Sequence, residues 1–174
     1  MRATGIVRRI DSLGRIVIPK EIRRSLKIKN GEALEIESNN QNIVLKRYSD
    51  FLDIENMVDN ITSVCGKLIN KDILVFDGKN IISQYKVDIE DIKHKDISDE
   101  LYKLISSRKS NYNYKGSLKI TGEIGEEGNF LFTSIIPNGD VIGGVLIYSK
   151  SSLDNNSEMI LKILNDILEK YIEE

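Results

Sequence analysis

The chain of 174 residues holds one cysteine, one histidine, two prolines and no tryptophan. A lone Cys65 rules out any disulfide within the chain and any zinc site built on cysteines. It reads as a small buried hydrophobe. His94 sits among Lys93, Lys95 and Asp96 in a polar stretch and reads as a solvated loop residue. No Ser/His/Asp set or carboxylate cluster is apparent, and the glycines of 122–129 lack the G-x-G-x-x-G order of a nucleotide cradle. No cofactor, metal site or catalytic residue is therefore expected, and the chain is not read as an enzyme. No window approaches the roughly 20 apolar residues of a membrane span, and no apolar run follows the first positive charges. The expectation is a cytoplasmic protein with no membrane partner, in which the acceptor-like Asn60 and Asn155 patterns are chance matches.

What is present is distributed unevenly. Hydrophobic residues make up 40% of the chain, enough for a core in one domain or in two small ones. The net charge of −2 conceals a split: residues 1–50 carry eleven Lys/Arg against six Asp/Glu, an excess of five, so the remainder carries a deficit of seven. A basic head on an acidic body indicates one module that meets a polyanion and one that does not. The head concentrates its charge in ATGIVRRIDSLGRIVIPKEIRR, residues 3–24, where Arg8, Arg9, Arg15, Arg23 and Arg24 stand among β-branched residues. These five are the candidate DNA-binding residues. Arginine offers a planar fork of five donors suited to phosphates and guanine edges.

Gly5 to Ile10 alternates as a short strand, Asp11-Ser12-Leu13-Gly14 supplies a turn, and Arg15 to Ile18 resumes a strand that Pro19 stops. Lys20 to Leu26 reads as a helix with Ile22 and Leu26 on its inner side. After a turn at Asn30-Gly31, Ala33 to Ser38 and Asn42 to Arg47 form a hairpin across Asn39-Asn40-Gln41. Four strands and a short helix in so few residues bury too little apolar surface for a monomer, and open strand edges gain by pairing across chains. An obligate interleaved dimer is expected.

The run TGIVRRID-LGRIVIPKEIRR-LKI, followed by the LEI and VLKRY strands, resembles the swapped-hairpin DNA-binding domain of the AbrB family of transition-state regulators. The resemblance covers about residues 1–48. It implies a β-barrel-like dimer of two interleaved chains with an arginine face on double-stranded DNA. The family's DNA-contacting arginines fall on Arg8, Arg15, Arg23 and Arg24, and Arg9 is added to them. Antitoxins use the same head, but with a disordered toxin-binding tail.

Residues 51–174 are patterned as a second domain. A helix is expected over 51–69, from Ile54, Val58, Ile61, Cys65 and Leu68. A hairpin follows with strands at 73–76 and 80–85, joined by Asp77-Gly78-Lys79, a turn compatible with type I′. Residues 86–97 read as irregular, Ser98 starts a helix with Leu101, Leu104 and Ile105 inward, 117–121 is a strand, and 122–129 is a glycine-rich acidic loop. Strands 130–136 and 141–148 meet at Asn138-Gly139, and a helix over 155–172 carries a seam of Ile160, Ile163, Leu164, Ile167, Leu168 and Tyr171. The reading is α+β, an antiparallel sheet with helices against it.

The stretch IPNGDVIGGVLIYS is similar to the last hairpin of GAF domains, whose terminal helices pair subunits. A head of the AbrB type joined to a GAF-like regulatory and oligomerisation domain resembles the layout of a family of sporulation transcription factors. That implies an activator or repressor of sporulation genes on the forespore nucleoid, and a homotetramer formed as a dimer of dimers. A small-molecule effector, with a pocket between the sheet and residues 86–128, is left open. An enzyme on the GAF scaffold, such as a free-methionine sulfoxide reductase, would need reactive and resolving cysteines, and Cys65 stands alone.

Overall fold

The computed structural model describes residues 5–26, 28, 30, 34–39, 41–49, 51 and 54–173. Outside them lie Arg2, Lys27 and Lys29 of the basic excess, Gly31 and Ala33 of the expected turn and strand, Asn40 of the hairpin tip, and Asp50 and Asp53 near the expected boundary. The chain divides into two compact units, Met1–Tyr48 and Ser49–Glu174.

In the first unit, β1 (Leu34–Asn39) and β2 (Asn42–Arg47) form an antiparallel hairpin with Ile36 opposite Leu45 and Glu35 opposite Lys46. Helix α1 (Lys20–Ser25) follows Pro19, whose φ of −56° suits a helix entry and whose missing N–H costs nothing there. The strands expected at Gly5–Ile10 and Arg15–Ile18 are not formed within this one chain. Only the bend between them is tied, with the Asp11 N–H donating to the Arg15 carbonyl (3.1 Å) and the Gly14 N–H to the Asp11 carbonyl (3.0 Å). Alternation makes such segments able to pair, but the ladder itself requires a partner edge. Among the described residues of this unit only Pro19 is buried.

The second unit is built on a five-stranded antiparallel sheet. Its strands β3 (Asp72–Asp77), β4 (Ile81–Tyr85), β5 (Tyr112–Lys119), β6 (Gly125–Ile135) and β7 (Gly143–Ser149) lie in the order β4-β3-β7-β6-β5. Helices α2 (Glu55–Ile69) and α4 (Asn155–Glu173) cover one face over a core of Val58, Ile73, Val75, Leu131, Ile147 and Leu164. Helix α3 (Asp99–Ser106) and the segment before it cover the other, over Leu74, Phe76, Ile92, Leu101, Phe132 and Tyr148. Neighbouring residues of ILVF and VLIY thus enter opposite cores, which is why those strands read as unbroken apolar runs. On the α3 face, Phe76 stacks on Phe132 (6.2 Å between centroids), and Tyr114, Phe130 and Tyr148 continue the aromatic layer.

Several expectations change. Residues 125–129 are not a loop but the first half of β6, and β5 starts at Tyr112 rather than Ser117. Glycine disfavours a strand by propensity, yet this one needs it: a Cβ on Gly128 would stand 2.7 Å from the Ser149 carbonyl oxygen and 2.8 Å from a Tyr148 ring carbon. The expected helix over 51–69 begins only at Glu55 and ends at Asn70 in the left-handed conformation (φ 51°). Asn138 and Gly139 are both left-handed, at φ 50° and 87°, in a turn closed by the Asp140 N–H on the Pro137 carbonyl (3.0 Å), but the ladder ends at Ile135 opposite Gly143, so the loop is longer than the expected turn between 136 and 141. At 77–79 the turn is of another kind. Asp77 Oδ1 accepts the Lys79 and Asn80 N–H groups at 2.7 Å each, Gly78 is not left-handed, and a bulge between Val75 and Phe76 absorbs the extra residue.

The irregular segment 86–97 is tethered at two points. The buried Asp72 carboxylate accepts the N–H groups of Val87, Asp88 and Ile89 at 2.8, 2.8 and 3.0 Å, and Lys93 pairs with Glu55 (2.8 Å) and Asp59 on α2. Among the described residues no helix is long and apolar enough to cross a membrane.

Candidate nucleic-acid interface

The five candidate arginines fall in two groups. Arg8, Arg9 and Arg24 are exposed and have no hydrogen-bond or ion-pair partner among the described residues. Arg15 and Arg23 are held. The bend at 11–14 holds the first: Asp11 Oδ1 accepts the Leu13 and Arg15 backbone N–H groups at 2.9 Å each, and Asp11 Oδ2 accepts Arg15 Nε at 2.8 Å. Gly14, at φ 77°, closes that bend in a conformation other residues resist. The N–H and guanidinium of Arg15, together with the Leu13 N–H, keep the Asp11 carboxyl below its usual range, so it remains an anion beside the cation.

Arg23 lies half-buried on α1 and donates from Nη1 to Asn30 Oδ1 at 2.7 Å, while its Nε is buried without a partner. On the hairpin the charge is already matched. Lys46 pairs with Glu37 across the strands, and that hydrogen bond raises the pKa of the ammonium. Among the described residues, the basic groups of this unit without a partner therefore include Arg8, Arg9, Lys20 and Arg24 together with the outer nitrogens of Arg15. The spacing of Asp11 and Arg15 was visible in the sequence, but their pairing was not read from it, nor was Asn30 as the partner of Arg23. An Asp four residues ahead of an Arg across a Gly-closed bend was the available signal.

The same unit leaves large apolar side chains in the open: Val7 is 87% exposed, Val17 74%, and Ile36 and Ile43 70% each. Burial of such side chains would stabilise by about 1.5–3 kcal/mol apiece, so this surface asks for cover.

In the second unit, Cys65 is buried on the inner face of α2, where burial pushes its thiol pKa up, and His94 is exposed with Nε2 3.6 Å from Glu55. Neither is placed beside a second reactive group. Two grooves flank α3. One of about 320 Å³ runs over Leu104, Lys109, Tyr112 and Tyr114, and one of about 590 Å³ runs over Ser98, Asp99, Lys119 and Thr121.

Comparison with known proteins agrees with this two-part build. Residues 7–53 match a family described as antidote-toxin recognition MazE, bacterial antitoxin, and residues 53–173 match stage V sporulation protein T C-terminal, transcription factor. The chain is 36% identical over 153 residues to stage V sporulation protein T of Bacillus subtilis, covering 86% of each. It is 39% identical over 84 residues to the transition state regulatory protein AbrB of the same organism, covering 48% of this chain and 79% of that one. The phycocyanobilin-bound GAF domain of a cyanobacterial phytochrome overlays with a TM-score of 0.53 at 10% identity, covering 70% of this chain and 85% of that one, which shows a shared GAF fold.

These matches define a transcription regulator with an AbrB-like head and a GAF-fold body. The chain belongs to the stage V sporulation protein T family.

Proposed function

We propose that the chain binds double-stranded DNA through Arg8, Arg9, Arg15, Arg23 and Arg24 of an interleaved head dimer, and so regulates sporulation genes on the forespore nucleoid. The observation that carries this reading is the combination found among the described residues of the first unit: Arg8, Arg9 and Arg24 without partners, beside large apolar residues left exposed. A second copy would supply the missing strand partners for 5–10 and 15–18 and cover Val7, Val17, Ile36 and Ile43. Two-fold pairing would also double the arginine face. The division of labour follows that of the sequence, with residues 1–50 gripping DNA and 51–174 regulating and assembling.

The second unit has its own uncovered surface. Val64 and Leu68 of α2 are 57% and 72% exposed, and Ile163 and Tyr171 of α4 are 41% and 52% exposed. The expected seam on α4 therefore splits: Leu164 and Leu168 turn inward, joined by Leu161, which the seam left out, while Ile163 and Tyr171 turn outward. Pairing of these rows would join two head dimers into a tetramer, and two weak contacts to DNA would add through effective concentration. A small-molecule effector would enter the grooves beside α3, within the region expected from the sequence.

Toxin binding is the second reading, and the match over 7–53 speaks for it. A toxin-binding tail is typically a disordered segment that folds on its partner, whereas residues 54–173 pack two cores of their own. The deciding experiment is the mass of the intact assembly, by light scattering, with and without a palindromic 30-base-pair duplex. A dimer or tetramer that takes up the duplex supports the reading. A folded monomer, or an oligomer whose mass is unchanged by duplex at 50 mM salt, refutes it.

A further inference from the structure

We propose that Asp11 is a positioning residue for recognition, holding the guanidinium of Arg15 so that its two outer nitrogens face DNA as a ready fork. The inference rests on the proposed DNA face. It concerns how that face discriminates between sequences.

An acidic side chain is an unexpected occupant of such a face. A free carboxylate there would repel phosphates, and charge alone would favour its loss. The geometry gives Asp11 a different part. Its two oxygens divide the work: Oδ1 accepts the Leu13 and Arg15 N–H groups, which sets the bend, and Oδ2 accepts Arg15 Nε at 2.8 Å, which sets the side chain. The contact to Nε matters because that nitrogen lies at the inner corner of the guanidinium. With Nε engaged, the Nη1 and Nη2 groups are left side by side with no partner among the described residues, the pair that makes a bidentate contact to guanine O6 and N7 or to a phosphate.

The pair is on the surface, with side-chain exposures of 42% for Asp11 and 71% for Arg15, so it is not a device for holding a core. An exposed ion pair adds little to stability. Its value is in orientation: an arginine side chain loses rotamer freedom when it grips a target, and one already fixed at Nε loses less. Arg8, Arg9 and Arg24, with no such restraint, suit sequence-independent contacts to the backbone.

The test uses the full chain as wild type, Asp11→Asn, Arg15→Ala, Arg15→Lys and the double variant Asp11→Asn/Arg15→Ala. The probes are a 30-base-pair duplex selected by the wild type from a random pool, and the guanine-free heteropolymer poly(dA-dT). Asp11→Asn keeps a carbonyl oxygen for the two backbone N–H groups and loses the acceptor for Nε. It is expected to bind the selected duplex about 10-fold more weakly, with no loss on the heteropolymer. The double variant should bind no worse than Arg15→Ala. Arg15→Lys keeps the charge without the fork and should fall on the selected duplex alone, which preserves the test should Asp11→Asn fail to fold.

Selected-duplex affinity of Asp11→Asn equal to or above the wild type would overturn the proposal, as would equal losses on both probes or a loss that adds to that of Arg15→Ala. If Arg15→Ala itself binds like the wild type, the failure is that of the DNA face at Arg15. That outcome is distinct from one in which Arg15 matters and Asp11 does not.

Discussion

The free arginines make a quantitative prediction about salt. Arg8, Arg9 and Arg24 have no partner among the described residues and Arg23 is half-buried on the same unit, so in a two-fold dimer these four supply about eight phosphate contacts if each reaches one. Each contact releases condensed counterions and contributes about −0.9 to the slope of log affinity against log salt, which gives a slope near −7 and a loss of about 10⁴-fold between 50 and 200 mM. Replacing Arg8 and Arg24 by alanine removes two contacts per protomer and should flatten the slope to about −3.6, a loss of only about 10²-fold over the same range. The assay is fluorescence anisotropy of a labelled 30-base-pair duplex titrated with the full chain at five potassium chloride concentrations. The reasoning concerns slopes rather than affinities at one salt, so weaker binding alone would not support it. A double variant that keeps the wild-type slope would show that these arginines do not touch the backbone.

Other outcomes follow from the same structure. Removing residues 51–174 should leave a head that still dimerises and binds DNA with lower apparent affinity; a truncated head that binds as tightly as the full chain would rule out avidity. Replacing Leu68 and Tyr171, 72% and 52% exposed, by lysine should halve the mass seen by light scattering while leaving the melting temperature nearly unchanged, since surface changes usually stay within about 0.5 kcal/mol. Alanine at Gly143 places a Cβ 2.2 Å from the Phe76 carbonyl oxygen and should force β7 from β3, costing about 3 kcal/mol in urea unfolding. The Cys65 thiol, raised by burial from its ordinary 9.0, should resist a disulfide reagent at pH 7.5 until the protein unfolds. Its contribution to stability is intact below the pKa of the unfolded thiol and declines as pH rises past it, because the unfolded chain then ionises first. Unfolding measured from pH 7 to 10 should follow that trend.

What the sequence made legible depended on whether a residue's fate is decided locally. The central strands declare themselves because ILVF and VLIY are buried on both faces, and the Asn138-Gly139 turn because few other pairs accept two left-handed residues. The 125–129 segment misleads for the opposite reason. Gly128 is in a strand because Tyr148 and Ser149 leave no room for a side chain, a fact that belongs to the neighbouring strand and not to the local sequence. Residues 5–10 and 15–18 show another limit, since alternation marks what can pair and not whether a partner is present in the same chain. Of the candidate site, the arginines were legible from charge density; their restraints at Asp11 and Asn30 depend on a bend and a helix end whose geometry the residue types alone do not specify.

The contrast between the two units bears on how such a regulator can work. The second unit closes two cores within one chain, so it can fold without a second copy. The first has exposed Val7, Val17, Ile36 and Ile43 and one buried residue among those described, so another molecule that covered them would give it a core. If that molecule is a second copy, then head folding, self-association and display of the arginines form one linked equilibrium, and DNA that binds only the paired head pulls all three together by mass action. A body that holds two heads close raises their effective concentration toward the millimolar range and keeps the linked step favourable when the protein is scarce. On this account the GAF-fold unit needs no contact with DNA to govern occupancy: whatever alters its self-association changes how many heads are complete.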